Sequence, residues 1–375
     1  MRSGIFRERR LRVLAVCAGN CVISITSTCL YYAELRHLEA YPFFTIQLNT
    51  VNAVLISFIA LAKLRLCRLD GWSRERGLDV SLCACADPPA VQAAPLSPRM
   101  WVAIAALSAL QTTMEIVSIP RIGNDDWPPV LQQAVVPLTF AMSTAILRAS
   151  YTRVQMLGAA LVVVSVLPGF LSQFFGGRRS GFDPMWAGVF LLARVPQALY
   201  NVLAEGGLQQ RQECSWIFWA TLVTQALAVP FSLFFSVSAE LARGGPSAVW
   251  RLFLDDFGGG LECVFRAAGG EHCATAWHVV LLYSIPGALY TISAFQVVQY
   301  ASATTYFLLV AFQLPIQDLV LSLPQFSGSL AAKLSPALGA SALLVGAGLA
   351  LYGLGSEAAA GPTQDDGERP PCASA

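Results

Sequence analysis

The chain has 375 residues, of which 55% are hydrophobic and 13% charged, with a formal net charge of +1 and a mean hydropathy of +0.57. Soluble globular proteins carry roughly 25% charged residues, so this composition excludes an ordinary water-soluble fold. The near-zero net charge gives no electrostatic basis for binding nucleic acid, and we expect no nucleic-acid partner.

Apolar runs of membrane-spanning length recur along the chain. A bilayer core of about 30 Å is crossed by roughly 20 helical residues, so each run predicts a transmembrane helix and the lipid bilayer as partner. Arginines precede the first run, but no small-residue cleavage site follows it, so we expect a retained helix and not a cleaved signal. Ten spans are predicted, near residues 12–32, 42–63, 100–119, 129–149, 153–171, 185–208, 216–238, 277–298, 302–322 and 335–355.

Ten spans place both termini on the same side of the membrane. Of the 24 lysines and arginines, 15 lie in the terminal segments and in the loops on that side, and 8 lie in the opposite loops. Positive charge accumulates on the cytosolic side of membrane proteins, so we expect residues 1–11 to be a cytosolic N-terminus. Residues 356–375 are then a cytosolic tail, and their composition is typical of disorder.

The loop 239–276 is predicted to face the lumen or the exterior. Its stretch "SAVWRLFLDDF" has apolar residues at helical spacing, which predicts a short helix lying on the membrane surface. The loop also contains Cys263 and Cys273. An oxidising compartment would allow a disulfide between them; two free thiols are the alternative.

Two segments of the chain repeat. "LQQAVVPLTF" aligns with "LVAFQLPIQD" when Pro137 is placed over Pro315, and "MLGAALVVV" matches "ALGASALLV" further on. Five spans per repeat is an odd number, so the two repeats would have opposite orientations in the bilayer. Inverted repeats are typical of secondary transporters that bind substrate near the midplane. The sequence therefore predicts repeats at 12–171 and 185–355, joined by a linker at 172–184.

The proline-bearing spans also carry amides, which are Gln132, Gln133, Gln313 and Gln317. An amide without a partner is costly in hydrocarbon, so these side chains should face the protein interior or a wet cavity. Proline bends a helix and frees a backbone carbonyl, which is tolerated where the carbonyl lines a cavity. We therefore expect kinked, cavity-facing helices; amide bonding between helices without any substrate is the alternative.

Three segments of the chain resemble a known family. The segments "LQQAVVPLTFAMSTAILRASYTRVQMLGAALVVVSV", "ATTYFLLVAFQLPIQDLVLSL" and "GGGLECVFRAAGGEHC" resemble the chloroquine resistance transporter family of the drug/metabolite transporter superfamily. The resemblance implies an all-α membrane protein with ten helices in two inverted five-helix repeats. It also implies transport of small solutes, which are amino acids, peptides, glutathione-like compounds or organic cations.

The same resemblance implies three further properties. A vacuolar or lysosome-like membrane is favoured, with the plastid envelope as the alternative. A disulfide between Cys263 and Cys273 is implied in the lumenal loop. A monomer is favoured over a dimer, with the small residues of the fifth and tenth spans holding the two repeats together.

Ionisable and amide groups within spans are the candidate site. Gln111 and Glu115 are four residues apart, and Arg194, Gln197 and Asn201 follow at steps of three and four, so each set shares a helix face. The predicted substrate-binding residues are Asn20, Gln47, Gln111, Glu115, Gln132, Gln133, Arg194, Gln197, Asn201, Gln313, Gln317 and Asp318. The predicted hinges are Pro137, Pro196, Pro286 and Pro315.

Several roles remain open for the charged residues. Arg194 would form a salt bridge to Glu115 or Asp318, extend to the interface, or contact substrate. Glu115 or Asp318 would carry a coupling proton, because a buried carboxylate is readily protonated. Glu205 lies near a helix end, where we expect solvation.

The sequence contains no intramembrane histidine pair, nucleophile elbow, phosphate loop or dinucleotide-binding glycines. We therefore predict no enzyme, cofactor or metal site. The prediction is a secondary-active transporter of a small-molecule substrate working by alternating access, with protons as a candidate coupling ion. One alternative is an exchanger of nucleotide sugars or phosphorylated metabolites, and another is a membrane receptor or scaffold that does not transport.

Overall fold

A computed structural model describes residues 2–38, 40–69, 97–122, 131–165, 183–209, 214–266, 271–321 and 336–359. Within these ranges the chain is helical and forms no strand. Its ten longer helices are α1 Arg2–Leu38, α2 Pro42–Leu69, α3 Pro98–Ser118, α4 Val135–Leu147, α5 Arg153–Val164, α6 Pro184–Leu208, α7 Cys214–Gly244, α8 Ala276–Tyr300, α9 Ala303–Leu321 and α10 Pro336–Ala359.

Ten spans are predicted from the sequence, and six of the described helices are long and apolar enough to cross a bilayer. Their apolar segments are Leu11–Tyr31, Pro42–Lys63, Pro98–Ser118, Pro184–Leu208, Trp216–Leu241 and Ala276–Tyr300. The other four contain shorter apolar segments, at Val135–Leu147, Arg153–Val164, Ala303–Leu314 and Ala342–Gly355. Large apolar side chains such as Leu55, Leu282 and Leu343 point away from the protein, which suits contact with lipid tails.

The start of α4 differs from the predicted span 129–149. A turn at Gln133 and Ala134 precedes the helix, which begins at Val135. Pro137 has no N–H to donate to the carbonyl of Gln133, four residues earlier. The Val136 N–H donates a hydrogen bond to this carbonyl oxygen instead, at 3.1 Å. Pro137 therefore lies in the first turn of α4, directly after a break in the helical path.

The helices pack in a regular set of pairs. The most extensive contacts join α1 with α8, α2 with α7, α3 with α6 and α7, and α5 with α10, while α4 packs on α6 and α9. The main apolar core lies between these helices and includes Ile104, Val135, Phe295 and Phe307.

Two glycines bring α5 and α10 into close contact. A Cβ atom on Gly158 would lie 2.5 Å from the Gly348 carbonyl oxygen, and one on Gly348 would lie 2.6 Å from the Gly158 carbonyl oxygen. Small residues at such positions let helix backbones approach within a membrane. The two helices thus pack on each other inside one chain.

The loop between α7 and α8 is helical where it is described. Short helices cover Pro246–Arg251, Leu252–Gly258, Gly259–Arg266 and Glu271–Ala274. They include the stretch predicted as a surface helix, and Cys263 and Cys273 form the predicted disulfide. The bridge packs in an apolar cluster with Leu38, Phe44 and Val280, which fixes the loop to the ends of α1, α2 and α8.

Asp256 attaches the same loop to the start of α2. Its carboxylate accepts the backbone N–H groups of Phe43, at 3.1 Å, and Phe44, at 3.0 Å. These belong to the first turn of α2, where N–H groups lack partners within the helix. Burial raises the pKa of the Asp256 carboxyl, although the two N–H donors oppose this shift.

Candidate substrate-binding site

The centre of the site is a polar stripe on α6. Arg194 is 0% exposed, and its Nη1 donates to Gln197 Oε1 at 2.7 Å. Its guanidinium lies 4.2 Å from the centre of the Phe190 ring. Asn201 Nδ2 donates to the Gln197 carbonyl oxygen at 2.9 Å. The spacing of three and four residues thus brings these polar groups to one face, as predicted.

Arg194 forms an ion pair with Glu115 of α3. Arg194 Nη2 lies 2.9 Å from Glu115 Oε2, and the Glu115 side chain is 22% exposed. The Gln111 amide donates to the same carboxylate oxygen. Of the alternatives for Arg194, the structure shows the salt bridge to Glu115, and complete burial is inconsistent with extension to the interface. The carboxylate is the accessible member of the pair.

Three tyrosines surround this ion pair. Tyr200 of α6, Tyr290 of α8 and Tyr306 of α9 all lie within electrostatic reach of the Glu115 carboxylate. The hydroxyls of Tyr290 and Tyr306 share a hydrogen bond of 2.8 Å. Sequence reasoning missed these residues; the available signal was that Tyr200 follows Gln197 by three residues and so shares its stripe.

A second polar group joins α1, α8 and α9. Asn20 Nδ2 donates to Ser293 Oγ at 2.9 Å, and Gln313 Nε2 donates to Asn20 Oδ1 at 3.1 Å. Gln313 is 0% exposed, and its Oε1 has no hydrogen-bond partner within the described residues. Ser293 lies three residues after Tyr290, so the two polar groups adjoin along α8.

Two further predicted amides form hydrogen bonds between helices. Gln317 Nε2 donates to Thr28 Oγ1 at 3.1 Å, and Gln47 Nε2 donates to Ser232 Oγ at 2.9 Å, so both link helices. Gln133 is buried and Gln132 half-buried. The side chain of Asp318 lies outside the described residues.

Of the four predicted hinge prolines, one lies in the first turn of its helix and three lie further along theirs. Pro196 is buried in α6 and Pro286 lies inside α8. Pro137 is exposed in the first turn of α4. Pro315 lies within α9, with its side chain outside the described part of the chain.

Glu205 corrects one expectation, because it is buried and not solvated. Its Oε2 accepts the Ala303 N–H at the start of α9, at 2.9 Å, and its Oε1 accepts from Gln209 Nε2 at 3.0 Å. The first N–H groups of a helix lack partners within that helix. The Glu205 carboxylate, near the end of α6, is therefore an acceptor for the first turn of α9. The spacing of residues in the sequence does not indicate this contact.

Comparisons with known proteins give a consistent result. The family model described as CRT-like, chloroquine-resistance transporter-like, matches residues 92–352. Crt homolog 1 of Dictyostelium discoideum is 25% identical over 252 residues, which are 60% of this chain and 53% of that protein. Crt homolog 3 of the same organism is 25% identical over 249 residues, which are 60% of this chain and 52% of that protein. The alignments thus span about half the length of these curated relatives.

A solved crystal structure shares the fold. It aligns with a TM-score of 0.56 at 15% sequence identity, covering 92% of this chain and 98% of the other chain. At this identity the likeness concerns the fold alone. The apolar helices, the polar groups between them and the family match over residues 92–352 lead to one conclusion: the chain is an integral membrane protein that belongs to the CRT-like family of transporters.

Proposed function

We propose that this protein is a secondary-active transporter of small solutes that works by alternating access. Its substrate would bind between two inverted five-helix halves, residues 12–171 and 185–355. Membership of a transporter family and the apolar helices support transport in general. The helix pairing and the chemistry of the polar groups support the finer proposal.

The helix pairs have the pattern that an inverted repeat requires. Such a repeat relates α1 to α6, α2 to α7, α3 to α8, α4 to α9 and α5 to α10. The contact of α1 with α8 is then equivalent to that of α6 with α3, and both are extensive. The α2–α7, α4–α9 and α5–α10 contacts each join a helix to its own equivalent. The Asn20–Ser293 bond and the Arg194–Glu115 pair lie at equivalent contacts between the halves.

The observation that carries the substrate proposal is a surplus of acceptors at the site. Glu115 Oε2 contacts Arg194 and Gln111, and the Glu115 side chain is 22% exposed, so the carboxylate is open to a solute. Within the described residues, Gln313 Oε1 is an unpaired buried carbonyl oxygen. Buried acceptors normally have donors. A solute with an ammonium or amide N–H group would supply them, which fits amino acids, peptides, glutathione-like compounds and organic cations.

A phosphorylated substrate fits this site less well. Anions need free cationic groups, and the Arg194 guanidinium is already paired with Glu115. The ammonium-bearing solutes therefore remain our proposal, with the twelve polar residues predicted from the sequence as the wider lining.

Motion would occur where the helices are interrupted. Proline removes one backbone hydrogen bond and bends a helix, so Pro196, Pro286 and Pro315 would let α6, α8 and α9 bend. The break before Pro137 would do the same for α4. We propose these positions as hinges, in a monomer with both termini cytosolic in a vacuolar or lysosome-like membrane.

Solute flux in reconstituted vesicles tests the proposed function. The full chain is placed in proteoliposomes, and uptake of radiolabelled cationic amino acids, short peptides and organic cations is compared with uptake by protein-free vesicles. We expect saturable uptake of at least one class, with exchange when unlabelled solute is inside. Saturable binding without uptake or exchange would instead support a receptor.

A further inference from the structure

Glu34 is a buried acidic residue that the predicted site does not include. It lies three residues beyond the apolar segment Leu11–Tyr31, yet its side chain is 0% exposed. It shares the buried face of α1 with Asn20 and Ser27, which precede it by multiples of seven residues. Glutamates are almost never fully buried without a partner, so this position needs a physical explanation.

The contacts of Glu34 favour its protonated form. Asn49 Nδ2 on α2 donates to Oε2 at 3.1 Å, while Oε1 has no hydrogen-bond partner in the described part of the chain. No lysine or arginine forms an ion pair with Glu34 among those residues. A buried carboxylate with one neutral donor is strongly disfavoured. Protonation removes the charge and turns one oxygen into a donor.

The surroundings of Glu34 contain no described group that would reverse this preference. Tyr283 of α8 lies within electrostatic reach. On α1 itself the neighbouring titratable side chains are Tyr31 and His37, one turn before and one turn after. The side chain of Arg36 lies outside the described residues. Burial raises the pKa of the Glu34 carboxyl to about 8, with the Asn49 hydrogen bond opposing the shift.

The disulfide-linked loop packs against α1 one turn beyond Glu34. Leu38, one turn later on α1, packs with Phe44 and the Cys263–Cys273 bridge. Glu34 is fully buried beside α2, so hydration of its carboxyl requires α1 to separate from the helices packed on it. Ionisation of a carboxylate requires hydration, so proton release and this opening favour each other.

We propose that Glu34 is a proton-binding site whose neutral form keeps α1 packed against α2 and α8, and whose deprotonation accompanies opening beneath the loop. The proposal deepens the transport function, since it names the group that couples protons to alternating access. It names a different candidate proton carrier from Glu115, whose carboxylate forms an ion pair with Arg194, whereas Glu34 has no such partner among the described residues.

The direction of the pH effect follows from linkage. The pKa is raised in the closed form, so the extra stability of that form is complete below the ordinary pKa of 4.5 and is lost as the pH rises through about 8. Acid on the loop side therefore favours the closed arrangement, and neutral or alkaline pH favours opening.

Infrared difference spectroscopy tests the site directly. The full chain in proteoliposomes, without substrate, is titrated from about pH 4 to pH 9, which spans the range of carboxyl pKa values. We expect a protonated carboxyl band with a midpoint well above that of an ordinary glutamate. Glu34→Gln should remove the Glu34 component of this band while the Asp256 carboxyl keeps its own, and the matched control Glu262→Gln, at an exposed position, should leave the band unchanged.

Two amide variants separate proton binding from simple packing. Asn49→Ala removes the hydrogen bond that stabilises the carboxylate, so the midpoint should move to higher pH. Asn52→Ala removes a comparable amide, which donates to Ser284 Oγ at 3.0 Å, and should leave the midpoint unchanged. This pair decides the question even if Glu34→Gln fails to fold.

A band of undiminished size in Glu34→Gln, absence of any such band in the wild type, or equal shifts in both amide variants would overturn the site. Flux is a separate readout. Absence of solute flux would contradict the proposed function but not the titration. Flux with the same pH dependence in wild type and Glu34→Gln would overturn the coupling role.

Discussion

The guanidinium of Arg194 on α6 lies 2.9 Å from the carboxylate of Glu115 on α3, and only the glutamate is partly exposed. The pair connects the two predicted halves at the place where the tyrosine hydroxyls gather. Its two members are not equivalent, because the arginine cannot reach water and the glutamate can. This asymmetry makes the consequences of removing either partner different.

Glu115→Ala should destabilise the protein more than Arg194→Met. Loss of the carboxylate leaves an uncompensated buried guanidinium, which costs about 3–5 kcal/mol. Loss of the arginine leaves a carboxylate that water can reach, so the cost should be smaller. Thermal unfolding in detergent measures the stability of both variants. The double variant should lose less stability than the sum of the losses in the two single variants. Equal losses of stability in the two single variants, adding up in the double variant, would contradict this asymmetry.

Gly348→Ala should separate α5 from α10. The added methyl would lie 2.6 Å from the Gly158 carbonyl oxygen, and overpacking of this kind typically costs about 1–3 kcal/mol. Gly346→Ala on the same helix is the matched control, because no atom lies within 4 Å of its Cβ position. Thermal unfolding should show a lower midpoint for Gly348→Ala alone. Identical behaviour of the two variants would rule out the close approach.

Asp256 should make attachment of the loop dependent on pH. Burial raises the pKa of its carboxyl in the folded state, so its contribution is complete below the unfolded pKa and decreases as the pH rises through the folded value. Asp256→Asn keeps a side-chain acceptor and should remove this dependence. Asp256→Ala removes the acceptor for the first N–H groups of α2, which should lower stability by about 1 kcal/mol. Limited proteolysis of the loop at a series of pH values upward from about 4, near the ordinary carboxyl pKa, is the measurement.

Limited proteolysis of the wild type and the Asp256 variants can support or contradict this assignment. Greater protease sensitivity at higher pH in the wild type, together with a flat profile in Asp256→Asn, supports the assignment. A wild-type loop that becomes more protected as the pH rises would contradict the sign.

Reduction of the Cys263–Cys273 bridge should loosen the same loop. The cysteines are 10 residues apart, and closing a loop of this size contributes about 2–4 kcal/mol. Cys263→Ser with Cys273→Ser should therefore increase proteolysis between α7 and α8. Replacement of Cys17, which is a free thiol in α1, controls for general effects of cysteine loss. A loop equally protected in both variants would show that its apolar contacts suffice.

Much of the fold could be predicted because apolar length and proline position are local properties of sequence. Six of the predicted spans are helices of membrane-crossing length within the described residues, the other four contain shorter apolar helices, and the disulfide and loop helix are present. The pairing of Arg194 with Glu115 was also among the predicted alternatives. The break at Gln133 depends on the missing N–H of Pro137, so its cause was visible in the sequence although its location was not.

The features that sequence reasoning missed depend on contacts distant in the chain. Glu34 lies just beyond an apolar run, where a charged residue normally indicates solvent, but the folded protein buries it against Asn49 of α2. Glu205 similarly caps the start of α9 from the end of α6. Tyr290 and Tyr306 meet only when α8 and α9 pack together. None of these relationships produces a periodic signal along the chain.

Accessibility of Gln313 to water from each side of the membrane tests the central claim most directly. Gln313→Cys is made in a chain whose cysteines other than the bridged Cys263 and Cys273 are replaced, and membrane-impermeant thiol reagents are applied to either face of sealed vesicles. Leu282→Cys, at an outward-facing apolar position, is the control. An alternating-access site predicts labelling of Gln313→Cys from both faces and protection by transported solute. Labelling from neither face, or from one face regardless of solute, would contradict the account.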